Sequence, residues 1–242
     1  MVSPVPPTVT QPAPSPIEVT LAVLLTTALV TAASYLSPTD YAATVVGAVF
    51  LTATYVLVLR RDAQSIRAFG LSLGGLLEPT PLEPRRLARE GVRALLVALI
   101  AFAVIAVPFA FGYRAWTGAK SGFHWQAALP EADDVLGQLL VIALPEEAFF
   151  RGYVQTRLDA FFPKTVRILG LPIGLSIVIT SAIFAIGHYL TVPHPARLAV
   201  FFPSLLFGAL RKREGGIGSS VLLHAMCNLL SAGVGRGFAG KG

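Results

Sequence analysis

Seven windows of this 242-residue chain are apolar over most or all of the length needed to cross a bilayer. A helix spans the hydrocarbon core with about 20 mostly apolar residues. The windows lie near 18–36, 41–59, 94–113, 135–156, 173–190, 196–210 and 217–233, the last two being shorter or glycine-rich. An open sheet edge finds no partner for its backbone groups in lipid, so each window is expected to be helical. Composition points the same way, with 54% hydrophobic and only 13% charged residues, against about 25% charged in soluble domains. A soluble globular fold is excluded, and so is disorder, which requires low hydrophobicity. The expected fold is all-α, a polytopic transmembrane bundle of about seven helices.

Three segments follow from the pattern. Residues 1–17 are rich in Pro, Thr and Ser without Lys or Arg, and are expected to form a flexible tail rather than a secretory signal. Residues 18–134 hold helices one to three and a long basic connection, and 135–242 hold helices four to seven. Thirteen Lys and Arg residues fall in the segments after helices two, four and six, against five on the other side. By the positive-inside rule the N-terminus is expected in the cytoplasm, and the expected location is the cell inner (plasma) membrane. The net charge of +6 therefore reads as topology, with the lipid bilayer as partner and no nucleic acid. Within the connection, Pro79, Pro81 and Pro84 break the chain, and 85–93 forms a basic lead-in to helix three. Pro108 is expected to kink that helix.

Ionisable groups inside a bilayer are costly and mark function by default. Helix four holds Glu146, Glu147 and Arg151; helix five holds His188; helix seven holds His224 and Asn228. Glu147 and Arg151 are four apart and share a helix face, whereas Glu146 is rotated by about 100° and points elsewhere. Phe184 with His188, and His224 with Asn228, are also four apart. At about 1.5 Å per residue, these groups are expected to meet in the inner or middle part of the membrane. Taken singly, each has a plain structural reading. Glu147 with Arg151 is an ion pair, His188 an interhelical hydrogen bonder, and His224 with Asn228 a polar link between helices. Glu146 is the hardest to explain so, because its neighbour takes the only nearby arginine.

Three motifs stand in order on separate helices: EEAFFR (Glu146 to Arg151), FAIGH (Phe184 to His188) and HAMCN (His224 to Asn228). Together they resemble the EExxxR, FxxxH and HxxxN motifs of the CAAX-protease and bacteriocin-processing (CPBP) family of intramembrane glutamic endopeptidases. The resemblance covers roughly residues 135–233. It implies a peptide hydrolase without cofactor or metal, acting on a protein or peptide substrate that enters from the membrane. It also implies Glu146 as the base that activates water, with His188 helping to hold it. His224 and Asn228 suit the developing oxyanion, and Glu147 with Arg151 and Phe184 support the site. Pro145 frees a backbone carbonyl and is expected to bend the helix beside the glutamates.

Peptide hydrolysis needs an activated water, a proton for the leaving amine and an oxyanion stabiliser, and this set of side chains contains all three. Two other readings are a zinc metalloprotease, ligated by His188, His224 and a glutamate, and a non-catalytic membrane scaffold or immunity protein. His124 and His194 lie in loops and are read as solvated, and Cys227 as a small buried hydrophobe. The density of Ala, Arg, Gly and Pro resembles that of GC-rich bacterial genomes. There the expected substrate is a leader peptide or a C-terminal sorting segment, rather than a prenylated terminus.

Overall fold

The computed structural model describes residues 15–117 and 122–239; most of the expected tail lies outside the described residues. Helix α1 covers Pro16–Leu36 and α2 covers Thr39–Leu59, the latter ending in a π-helical turn. The first helix begins two residues before the expected window because Pro16 occupies its first turn, where no amide donor is needed. A short α3 (Ala63–Ala68) and a 3-10 turn precede α4 (Pro84–Thr117), which contains Pro108. After the one-turn α5 (Trp125–Ala128), α6 runs over 132–161. Then come α7 (Leu175–Thr191), a 3-10 segment Pro195–Val200, α8 (Phe201–Glu214) and α9 (Gly218–Ala239). Helices α1, α2 and α4 are long and apolar enough to cross a membrane, and only 6% of the α4 window is buried. Its Leu96, Ile100 and Val104 point outwards, as a lipid-facing helix requires. The molecule is an all-α helical bundle of integral membrane type.

One element was not anticipated. Thr165–Ile168 pairs antiparallel with Leu171–Gly174 between α6 and α7. Leu169 and Gly170 at its tip both have positive φ, 50° and 78°, the geometry of a two-residue turn that matches strand twist. The alternation of Val166 and Ile168 before a glycine-containing pair was the sequence signal for this hairpin.

Lipid is as apolar as leucine, so helices associate in a bilayer through close packing and polar links. An aromatic cluster supplies the packing where α2, α6 and α7 meet: Phe50 lies 5.4 Å from Phe150, which lies 5.0 Å edge-on to Phe184. Polar links join α6 to α8. Gln155 donates to the Gly208 carbonyl at 2.9 Å, Arg211 to Thr156 at 2.8 Å and Lys212 to Asp159 at 2.6 Å. Arg93 pairs with Glu214 at 2.7 Å and Arg157 lies over the Phe69 ring at 4.9 Å, so residues of the three basic segments meet at one end of the bundle.

The 60–83 connection is folded rather than loose, with Ile66, Phe69 and Leu71 buried. Its centre is Glu78, whose carboxylate accepts from Arg67, from Arg86 at 2.7 Å and from Ser72 at 2.5 Å. The Arg67 guanidinium, followed by that of Arg86, holds the Glu78 carboxyl well below the usual carboxylate range. A lowered folded-state value means that ionised Glu78 stabilises the fold at neutral pH, and that this contribution is lost on acidification below the unfolded value. Protease susceptibility of the 60–83 segment is therefore expected to rise as pH falls below about 4.5. Glu78→Gln should show that susceptibility already at pH 7.

Pro145 has no amide hydrogen for the Val141 carbonyl one turn before it. Gly47 of α2 packs on that carbonyl so closely that an added Cβ would lie 2.3 Å from its oxygen. Gly47→Ala is expected to cost about 1–3 kcal/mol, read as a lower unfolding temperature in detergent. Gly91→Ala, where a Cβ meets nothing within 4 Å, is the control and should be neutral or slightly stabilising.

Candidate active site

Helix α6 presents the two glutamates from a short α-helical stretch, Leu144–Glu147, between two π-helical stretches, Gly137–Ala143 and Ala148–Val154. Inserted π turns re-aim the side chains on either side and recur at functional sites. The two carboxylates share one α-helical turn, and the step of about 100° between neighbours gives them different surroundings.

Glu147 is fully buried and faces α9. Its Oε1 lies 3.0 Å from Arg151 Nη1 and accepts from His224 Nδ1 at 2.9 Å. Arg151, also fully buried, donates to Ser204 Oγ of α8 at 2.6 Å and lies over the Phe184 ring at 4.5 Å. The i, i+4 pairing read from the sequence is thus present, and it extends through His224 into a row of three charged or chargeable groups. Such a buried row holds only while every member is paired.

Glu146 points the other way, and its Oε2 is buried without a hydrogen-bond partner among the described residues. Two imidazole nitrogens face that oxygen: His188 Nε2 at 3.9 Å and His224 Nε2 at 3.8 Å. Both rings are held from behind. His188 Nδ1 lies 3.0 Å from the Phe184 carbonyl, which can only accept, so Nδ1 carries the proton. His224 Nδ1 faces the Glu147 carboxylate in the same way. Each ring therefore turns its Nε2 edge to Glu146. Phe184 packs against both, with centroids 4.3 Å from His188 and 5.7 Å from His224, and Phe207 stacks on His224 at 5.0 Å.

Of the residues singled out in the sequence, Glu146, Glu147, Arg151, Phe184, His188 and His224 converge. Asn228 does not join them directly. Its Nδ2 donates to Gln138 Oε1 at 2.9 Å, one turn further along the α6–α9 seam. Ser204, Phe207 and Gln138 carried no signal in the sequence, since each gains its role only by packing. Arg197, read from sequence as an outer-surface charge, is close enough for its positive charge to act on both Glu146 and His188. Its Nε is buried without a hydrogen-bond partner among the described residues. Also among the described residues, no group of three or more His, Cys, Asp or Glu side chains has the mutual geometry to hold a metal ion.

The bundle and this cluster define an integral membrane protein with a glutamate–histidine site buried between its helices. Residues 131–230 match the family described as type II CAAX prenyl endopeptidase, Rce1-like. This agrees with the CPBP resemblance of the three motifs, and the match runs from the start of α6 to just past the middle of α9. The family is one of CAAX-type endopeptidases, so the match implies a peptidase acting on a peptide. No curated protein and no solved structure matches the chain.

Proposed function

We propose that the protein is a glutamate-dependent intramembrane endopeptidase. The observation that carries the reading is the pair of imidazoles, each tied through Nδ1, that face one unpartnered oxygen of Glu146 at 3.9 and 3.8 Å. Those separations exceed a direct hydrogen bond and suit a bridging water. Glu146 takes a proton from that water, and the resulting hydroxide attacks the scissile carbonyl carbon. His188 Nε2, as acceptor, orients the water. His224, held by Glu147, donates from Nε2 to the oxyanion when doubly protonated, and Asn228 adds its second amide hydrogen. As the C–N bond breaks, the proton on Glu146 passes to the leaving nitrogen, restoring the Glu146 carboxylate and giving an amine and a carboxylic acid. The acid then loses its proton to the amine or to solvent.

The substrate in this reading is a leader or C-terminal sorting segment of a membrane-associated protein, presented from the bilayer. The basic end of the bundle faces the cytoplasm, by the charge bias of its connections. The family description names prenylated CAAX termini, and such a terminus is an apolar segment of the same kind. Comparing membrane-protein termini in cells carrying the wild type or Glu146→Gln identifies the substrate as the protein whose trimmed form disappears. Turnover of it by purified protein should survive a strong chelator. Loss with chelator and recovery on adding zinc would instead favour a metalloprotease.

A further inference from the structure

Beside the seam of α4, α6 and α9 lies a cavity of about 730 Å³, whose lining reaches Leu144 and Val221 but includes none of the clustered glutamates and histidines. That volume is within the range of small-molecule sites, about 300–1,000 Å³. Its two ends differ in chemistry. At the basic end stand Arg67, Arg86, Arg89 and Arg93, against Glu90 and Glu214. Towards the bundle interior the lining is apolar, with Leu139, Leu140 and Leu144 from α6 and Leu222 from α9.

We infer that this groove binds one anionic phospholipid of the bilayer, its phosphate among the arginines and an acyl chain along the leucines. The basic end is built rather than incidental. Arg86 is held by Glu78 at 2.7 Å and Glu90 at 3.1 Å, and the carboxylate of Glu78 is itself fully buried. Arg67 and Arg93 leave 53% and 66% of their side chains exposed after pairing. Each guanidinium has five N–H donors, so each can also bind phosphate. Arg89, exposed on α4, has no ion pair among the described residues. The apolar end opens beside α4, whose outward face carries the exposed Leu96, Ile100 and Val104, and Leu140 is 51% exposed within it. A groove that is cationic where headgroups lie and apolar where chains lie matches a lipid in both halves. The inference is independent of the peptidase reading.

Native mass spectrometry of the full-length protein in detergent, titrated with dioleoyl phosphatidylglycerol or dioleoyl phosphatidylcholine, tests it. One phosphatidylglycerol should bind at least about tenfold more tightly than phosphatidylcholine. Arg89→Glu should weaken that binding about tenfold. Leu140→Trp, which fills the apolar half and alters no charge, should weaken it similarly, whereas Leu24→Trp on the exposed face of α1 should not. Equal binding of the two lipids would overturn the inference. So would full binding by Leu140→Trp, which marks mere surface attraction. Displacement of phosphatidylglycerol by inorganic phosphate, or by an apolar peptide with a free carboxylate, would assign the groove to another occupant.

Discussion

Glu146→Gln is expected to abolish peptide-bond hydrolysis while leaving the fold intact. The substitution keeps the shape of the side chain and removes its capacity to take a proton. A general base contributes roughly 10²–10⁴ in rate, and here the same group also returns the proton to the leaving amine, so turnover should fall by at least about 10³. Stability should be little changed for a reason visible in the site. Glu146 makes no direct hydrogen bond through Oε2, and the flanking imidazoles are held by other partners, Phe184 and Glu147. Turnover on the substrate found by terminus comparison and thermal unfolding in detergent, both on one preparation, make the check. Retained turnover removes glutamate as the base; lost turnover with a collapsed unfolding temperature leaves it unsupported.

Arg151→Met is expected to act on the fold first. It strands the fully buried Glu147 carboxylate without its cation, and breaking a buried pair in this way costs about 3–5 kcal/mol. The contacts of Arg151 to Ser204 and to the Phe184 ring disappear with it. Adding Glu147→Gln removes the stranded charge, so the double variant should regain much of the lost stability, as paired neutral replacements commonly do. It should not regain activity. His224 is then oriented by an amide rather than a carboxylate, and loss of such an orienting carboxylate in other enzymes costs up to about 10⁴ in rate. Recovered unfolding temperature with turnover still depressed separates the two roles of Glu147. Recovery of both would reduce the Glu147–Arg151 pair to a structural link.

The helices were legible because their signal is local: a run of apolar residues in lipid has one stable backbone form. The family was legible because the spacing of three motifs survives in one dimension, and residues 131–230 match it. Even the split between Glu146 and Glu147 followed from a 100° step and one nearby arginine. The hairpin at 165–174 is hidden in the sequence because most of it falls in the basic segment after helix four, where Lys164 and Arg167 read as a connection. The 60–83 connection read as an open loop because its order depends on Glu78, a single residue that meets Arg67 and Arg86 only after folding.

The chain alone therefore determined which segments form apolar helices, which carry ionisable groups and which family those groups resemble. Apolarity, charge and helical period are properties of residues and their neighbours. Only the tertiary structure decided that both Nε2 edges face one oxygen of Glu146, that Asn228 is bound to Gln138, and that Gly47 seats the carbonyl freed by Pro145. It also brought Arg197 within electrostatic reach of the site. Each of these depends on how far one helix is rotated and raised against another. Packing at the helix faces sets that, and no spacing within a single helix encodes it.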